Sequence, residues 1–253
     1  MILGIDFPPI SHLIEWPDFL FKGTAFGINK VVLEIIISSL AIIVFYIYAG
    51  RKKALVPTGS QNFAESIVDF VQNDIIAQTI GEDGMWWTPF LLTIFSFVFM
   101  LNIWEVVPGF QMPANARIAV PAMLAIVVWV VFNAVGLKNQ GPIGYFKSML
   151  FPPGVPKVLY ILITPIEFVS TIFVRPLSLA VRLFANMLAG HLLLGTFAVL
   201  TGALWASTKI GFVLPFALLT ALTGFEILVA VLQAFIFTIL TAVYIGGARH
   251  AEH

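Results

Sequence analysis

Long apolar runs dominate this sequence, and short polar stretches separate them. A helix that crosses the hydrocarbon core of a membrane, which is about 30 Å thick, needs about 20 mainly apolar residues. Runs of this kind predict three spans, at residues 31–49, 87–107 and 118–135. Two further apolar blocks, at residues 158–204 and 210–245, are longer than one upright span requires. We therefore expect the last two membrane helices to be tilted or broken.

Residues 62–80 have a different pattern, in which apolar and acidic positions alternate at helical spacing. Ile67 and Val71 lie on the apolar side of this pattern, and Asp69 and Asp74 on the polar side. The pattern predicts an amphipathic helix. Such a helix lies either on the membrane surface or in an ordinary connecting segment, and the sequence favours neither.

The predicted fold class is all-α: a polytopic membrane protein with about five membrane helices, the last two long and tilted, plus an amphipathic surface helix. Residues 1–30 form an amino-terminal arm outside the cytoplasm. Residues 31–157 hold the front spans and the surface helix, and residues 158–253 hold a helical hairpin and a short tail. A stretch rich in Gly and Pro, residues 136–157, predicts the loop between these two parts.

Composition supports a membrane protein and excludes several other classes. The chain is 60% hydrophobic and 10% charged, whereas soluble domains have roughly 25% charged residues. Its formal net charge is zero, so no basic surface is predicted to bind nucleic acid. The absence of Cys excludes disulfides, iron–sulfur clusters and thiolate metal sites.

The distribution of Lys and Arg predicts the orientation, because these residues are more frequent in cytoplasmic loops. With five spans, one side carries seven of them and the other side four. The richer set is Arg51, Lys52, Lys53, Lys138, Lys147, Lys157 and Arg249, and the poorer set is Lys22, Lys30, Arg117 and Lys209. We therefore expect the amino terminus outside and the carboxyl terminus in the cytoplasm.

Ionisable residues are rare between residues 158 and 247. An ionisable side chain at membrane depth costs about 2.5 kcal/mol or more and indicates a functional role. The six candidates in this stretch are Glu167, Arg175, Arg182, His191, Lys209 and Glu226.

Helical spacing arranges the polar residues of this region in two rows. At 100° per residue, the first row forms one stripe on an otherwise apolar helix. Its members are Thr171, Arg175, Ser178, Arg182 and Asn186, and the second row is Thr223, Glu226 and Gln233. His191 lies about 140° around the helix from Asn186, so we expect it to face different surroundings from Arg182.

These residue types predict a proton path with a barrier. Arginine does not deprotonate in proteins, so it is a fixed positive charge that no proton crosses by binding to it. Histidine and glutamate exchange protons near neutral pH when their surroundings shift them. The alternative is that Arg182 has a structural role, as the counter-ion of Glu226 or Glu167 in a packed bundle.

Other residues of the region also have structural alternatives. Arg175 and Lys209 are alternatively side chains that extend to a membrane interface. Glu167 is either a polar lining residue or an acid at the start of a helix.

Two motifs carry a resemblance to a known family. The run RPLSLAVRLFANMLAGH from Arg175 to His191 resembles the signature of ATP synthase subunit a, and the run LQAFIFTILT from Leu232 to Thr241 resembles its second signature. The clear resemblance covers residues 164–245. In many bacterial relatives glutamate replaces His191 and histidine replaces Glu226. The exchanged pair here is similar to that of mitochondrial forms.

The resemblance implies a function and a set of partners. The chain would be the proton-translocating stator of a bacterial F-type ATP synthase and would itself be non-catalytic, without a cofactor. It would lie in the plasma membrane beside the c-subunit ring, with the b subunits of the peripheral stalk, other F-type ATP synthase subunits and lipid as further partners. Arg182 would separate two aqueous half-channels and keep the passing c-ring carboxylate ionised.

The resemblance also implies roles for the other polar residues. The outer path would be lined by Asn186, His191, Glu226 and Gln233. Glu167 and Ser178 would belong to the inner path, and Arg175 lies on the same stripe.

Two other classes of protein would use similar residues. A proton-coupled secondary transporter is expected to show duplicated halves, and no repeat occurs at a fixed period. An intramembrane hydrolase needs a nucleophile with its base, or a metal cluster, and His191 is the one histidine away from the termini. The sequence contains no phosphate-binding loop, His-Glu-x-x-His motif or Gly-x-Ser-x-Gly motif.

Overall fold

The structure is a computed structural model, and it describes residues 27–51, 54–107, 113–151, 156 and 159–249. Most of the predicted amino-terminal arm and the last four residues lie outside this described part, as do four lysines counted for the orientation: Lys22, Lys52, Lys53 and Lys157. The described residues form an all-α fold, as the sequence predicts.

The first two spans pack side by side in opposite directions. Helix α1, Lys30–Gly50, begins at Asn29, whose side chain accepts a hydrogen bond from the Val32 amide at 3.0 Å. Helix α4, Thr88–Ile103, follows a 3₁₀ turn at Glu82–Trp87. Trp104 Nε1 donates to Ser38 Oγ at 2.7 Å, and the hydroxyls of Tyr46 and Ser96 are 2.9 Å apart. These two contacts fix the antiparallel register.

The amphipathic segment between these spans is helical throughout. It consists of α2 (Ser60–Asp69), a π-helical stretch (Phe70–Ile76) and α3 (Ala77–Thr79). Val71, Ile75 and Ile76 are fully buried in the main hydrophobic core. The apolar side of the segment therefore packs mainly on the bundle, while Asp69 and Asp74 remain exposed.

The prediction of a loop at residues 136–157 is wrong for most of this range, because α5 extends over Ala119–Leu150. The helix changes direction at Gly141, which has φ 71°, and resumes at Pro142. Glycine adopts a positive φ without steric cost, and proline is tolerated in the first turn of a helix. The Tyr145 ring packs directly against Gly136, where a Cβ atom would collide with it. Gly and Pro here produce a kink instead of a loop.

The last two apolar blocks form an antiparallel hairpin. The first block consists of α6 (Tyr160–Val169), a π-helical stretch (Ser170–Val174) and α7 (Arg175–Thr208), and α8 is Val213–Arg249. At 1.5 Å per residue, the 37 residues of α8 span about 55 Å. This length exceeds a hydrocarbon core of about 30 Å, which agrees with the predicted tilt.

Among the described residues, five helical segments are long and apolar enough to cross a membrane, which confirms a polytopic membrane protein. Their core includes Leu91, Phe132, Leu183, Met187 and Phe237 and lies between α4, α5, α7 and α8. We call the two ends of the bundle the Lys30 end and the Arg249 end. Helices α1, α5 and α8 run from the Lys30 end towards the Arg249 end, and α4 and α7 run back.

Candidate functional site

The exposed face of α7 carries the centre of the predicted polar stripe. Ser178, Arg182 and Asn186 are all exposed, and the exposed apolar side chains of Leu177 and Val181 flank them. A charged side chain on an otherwise apolar membrane helix requires a polar partner or water. This face therefore requires a polar partner or water.

Thr171, the first residue of the predicted stripe, does not lie on this exposed face. Thr171 is buried, with 2% of its surface exposed, because it lies in the π-helical stretch before α7. A π-bulge inserts one residue and shifts the helical phase by about 100°. Pro176 follows this π-helical stretch, after Arg175.

Arg182 is not the counter-ion of a buried acid in this bundle. Within the described part of the chain it forms no ion pair with Glu226 or Glu167, and one oxygen of Glu226 remains without a hydrogen-bond partner. Gly190, which touches Glu226, lies eight residues along α7, about 12 Å at the helical rise. The structural alternative for Arg182 is therefore not realised.

Two carboxyl groups meet on the Lys30 side of Arg182. Glu226 of α8 and Glu105, which follows α4, are 5% and 3% exposed. A Cβ atom built on Gly190 would lie 2.7 Å from Glu226 Oε1 and 2.8 Å from Glu105 Oε1. The absence of a side chain at Gly190 allows both carboxyl groups to reach the same space between α4, α7 and α8.

The environment of Glu105 favours its protonated form. Burial, with the adjacent Glu226 as a second cause, raises the pKa of Glu105 to about 8. A carboxyl group with a pKa near the working pH is suited to accepting and releasing protons. Glu105 therefore has the chemistry of a proton-exchange group.

The other polar residues on this side lie before or after the carboxyl pair along α7 and α8. His191 is half-buried and follows Gly190 on α7, so it faces away from the exposed stripe, as the helical angle predicts. Gln233 is buried two turns after Glu226, and Thr223 is half-buried one turn before it. The polar row of α8 thus faces the inside of the bundle.

A second polar region lies on the Arg249 side of Arg182. It is an open pocket, and the Arg175 guanidinium lies over the Tyr244 ring there, 5.3 Å from the ring centroid. This position is a cation–π contact, so Arg175 is held by α8 instead of extending freely to an interface. Glu167 of α6 is half-buried and does not line the pocket. The lining residues are Ser170, Val174, Arg175, Ser178, Val243, Tyr244 and Gly247.

Sequence reasoning missed Glu105 and Tyr244. Glu105 lies near the end of the second predicted span, residues 87–107, and is not among the candidate site residues that the sequence predicts. One signal was available, because Glu105 is an acid that follows Trp104 and 16 helical residues without a charge. Nothing in the sequence indicated a role for Tyr244, since its position over Arg175 depends on the packing of α7 against α8.

The arrangement consists of two polar regions on opposite sides of one exposed arginine. Among the described residues, no group of three or more His, Asp and Glu side chains is placed to hold a metal ion. The fold and the site together define a polytopic all-α membrane protein with ionisable groups along its membrane-crossing helices.

The chain belongs to the ATP synthase subunit a family. The family model for the ATP synthase A chain matches residues 32–246. A protein named ATP synthase subunit a from Frankia alni is 45% identical over 94% of this chain and 84% of its own length. Proteins of the same name from Rhodococcus erythropolis and Hyphomonas neptunium are 40% and 39% identical, over 93% and 98% of this chain and 88% and 98% of their own lengths.

Proposed function

We propose that this chain is the proton-translocating stator subunit of the Fo sector of a bacterial rotary ATP synthase. Membership of the subunit a family supports this assignment. The observation that carries it is the exposed Arg182 between two polar regions that approach it from opposite ends of the bundle. In this proposal the two regions are half-channels, and the c-ring carboxylates pass along the exposed face of α7.

Arg182 separates the half-channels because its charge is permanent. A guanidinium does not release its proton at physiological pH, so protons are not relayed through it. It attracts an approaching c-ring carboxylate in its ionised form, and that carboxylate must be reprotonated before it moves into lipid. Each proton that crosses a potential of 100 mV releases about 2.3 kcal/mol. The barrier at Arg182 directs this energy into rotation of the ring.

The outer half-channel contains the carboxyl pair. We place the amino terminus outside and the carboxyl terminus in the cytoplasm, so the Lys30 end faces outwards. Protons pass through Glu105 and Glu226, which share the space beside Gly190. His191 lies next to this space, and Asn186 and Gln233 are the polar groups that lead from it along α7 and α8.

The inner half-channel is the pocket at the Arg249 end. Ser178 joins this pocket to the exposed stripe, since it lines the pocket and also lies one turn before Arg182. Arg175, held over Tyr244, sets a positive potential at the mouth. Glu167 does not line this pocket. Of the residues assigned to the inner path, it therefore has the least direct connection to the pocket.

The partners follow from the exposed surfaces. The c-subunit ring packs against α7, and the b subunits of the peripheral stalk and membrane lipid cover other apolar surfaces. Exposed apolar side chains on α1 and α8, such as Leu40 and Leu228, provide such surfaces. ATP chemistry takes place on other subunits of the complex, and this chain is non-catalytic.

Photo-cross-linking tests the stator assignment. We expect p-benzoylphenylalanine in place of Leu177, which is 59% exposed beside Ser178, to cross-link a small hairpin proteolipid in the intact complex. The same probe in place of Val44 of α1, which is 63% exposed, is the matched control and should not capture that proteolipid. Mass spectrometry of the cross-linked band identifies the partner. Reaction of the Leu177 probe with lipid alone, in a complex that retains its subunits, would refute the assignment.

Gly190→Ala tests the carboxyl pair. The added methyl group would lie within 3 Å of both Glu105 Oε1 and Glu226 Oε1, so the carboxyl groups must separate. We expect ATP-driven proton pumping to fall by about threefold to tenfold per assembled complex, because proton transfer depends steeply on donor–acceptor distance. Gly195→Ala on the same helix meets no neighbouring atom within 4 Å and serves as the control. Equal pumping by the two variants would argue against transfer beside Gly190.

A further inference from the structure

A second group of buried polar side chains lies at the Lys30 end, away from the residues assigned above. Glu34 of α1 is completely buried, and neither of its carboxyl oxygens has a hydrogen-bond partner among the described residues. Asn115 Nδ2 donates to Asn102 Oδ1 at 2.6 Å, and both side chains are buried. The other polar atoms of this pair, Asn102 Nδ2 and Asn115 Oδ1, are also without a described partner.

This group is joined to the carboxyl pair through the end of α4. Asn102 lies one turn before Glu105, whose backbone amide donates to the Asn102 carbonyl at 3.2 Å. Asn115 follows Ala114, and the Ala114 backbone amide lies beside the Glu34 carboxyl group, although without the geometry of a hydrogen bond. Buried polar side chains are therefore present on α8, at the end of α4, beside the 3₁₀ turn Ala114–Ala116 and on α1.

Buried polar atoms in native proteins are nearly always hydrogen-bonded, either to protein or to ordered water. Four side-chain atoms lack a partner here: both oxygens of Glu34, Asn102 Nδ2 and Asn115 Oδ1. They include a donor and acceptors from three segments, and a buried water typically makes about three such contacts. Water bound among them would satisfy atoms that the protein leaves unpaired.

Two basic side chains act on the Glu34 carboxyl group. Lys30, one turn earlier on α1, and Arg117, after the 3₁₀ turn Ala114–Ala116, both act on its carboxyl group. A structural ion pair is the simpler explanation of such neighbours. It leaves the hydrogen-bonding capacity of the Glu34 oxygens and of the two asparagines unused.

We propose that Glu34, Asn102 and Asn115 form a hydrated branch of the proton entry route, in which Glu34 binds protons and passes them through water to Glu105. The branch rests on the proposed function, because it assigns the Lys30 end to the outer side. It adds α1 to the elements that line the route.

Thiol labelling tests the hydration of this branch, and the chain is suited to it because its sequence contains no Cys. The complex with Glu34→Cys or Asn115→Cys is treated from the outside with a small cationic methanethiosulfonate reagent. We expect modification about tenfold faster than for Val98→Cys, a fully buried apolar control on α4, because such reagents require an ionised, water-accessible thiol. Labelling of both test positions at the control rate would overturn the branch.

Proton pumping tests the role of Glu34 itself. We expect Glu34→Gln to lower ATP-driven pumping per assembled complex by about threefold or more and Glu34→Asp to restore most of it, since only a carboxyl group carries the proton. Glu82→Gln, at an exposed site near the other end, is the matched control. Normal pumping by Glu34→Gln, or loss of pumping that Glu34→Asp does not restore, would indicate a structural ion pair and would overturn the proposal.

Different results would contradict the stator assignment and the hydrated branch at Glu34. Labelling reports water access and does not depend on proton transport, so it remains informative if the stator assignment is wrong. Conversely, a dry Glu34 would leave the roles of Arg182, Glu105 and Glu226 unchanged.

Discussion

Arg182→Ala is expected to abolish ATP-driven proton pumping while the complex remains assembled. The side chain is exposed on α7 and has no ion-pair partner in the described bundle, so its removal leaves neither a cavity nor a buried unpaired acid. In the proposed mechanism, what is lost is the fixed positive charge that interacts with the passing carboxylate. Electrostatic effects of a few kcal/mol correspond to about 100-fold or more in rate. Dye-quenching assays on inverted membrane vesicles measure the pumping.

The control for this prediction is Arg51→Ala. Arg51 is an exposed arginine at the end of α1, away from the stripe, and its loss removes the same charge without touching α7. We expect this variant to pump at the normal rate. Immunoblots of the membranes establish that both variants contain the complete complex. Pumping by Arg182→Ala at the rate of Arg51→Ala would reject the role assigned to Arg182.

Helical periodicity predicted the parts of the site that lie on one helix. The exposed positions of Ser178, Arg182 and Asn186 follow from spacing alone, because an α-helix repeats every 3.6 residues. The same rule was wrong for Thr171, since the π-helical stretch Ser170–Val174 changes the phase before α7 begins. A single inserted residue leaves no mark in the hydrophobic pattern.

Contacts between distant segments could not be predicted from the pattern. Glu105 lies about 120 positions before Glu226, and the two meet because Gly190 allows α7 to pass close to both. Glu34 is a single acid in an apolar run of the sequence, and its burial depends on the segment at Ala114–Ala116. The spans themselves were predictable, because their length and hydropathy are local properties.

Glu226→Gln is expected to reduce ATP-driven proton pumping by about tenfold or more, because the amide has the shape of the carboxyl group but cannot release a proton. Glu226 is 5% exposed and shares the space beside Gly190 with Glu105. Glu226→Asp retains the carboxyl group and should keep part of the activity. Glu82→Gln, an exposed glutamate near the Arg249 end, is the control and should pump normally. Normal pumping by Glu226→Gln would remove this residue from the path.

The double variant Glu105→Gln/Glu226→Gln separates a shared route from two independent ones. If both carboxyl groups belong to one path, the second substitution should add little to the loss caused by the first, since residues that act as a unit are strongly non-additive. Their joint approach to Gly190 and the effect of Glu226 on the pKa of Glu105 support a single unit. Fully additive losses in pumping, measured on complexes of equal subunit content, would instead assign the two residues to separate routes.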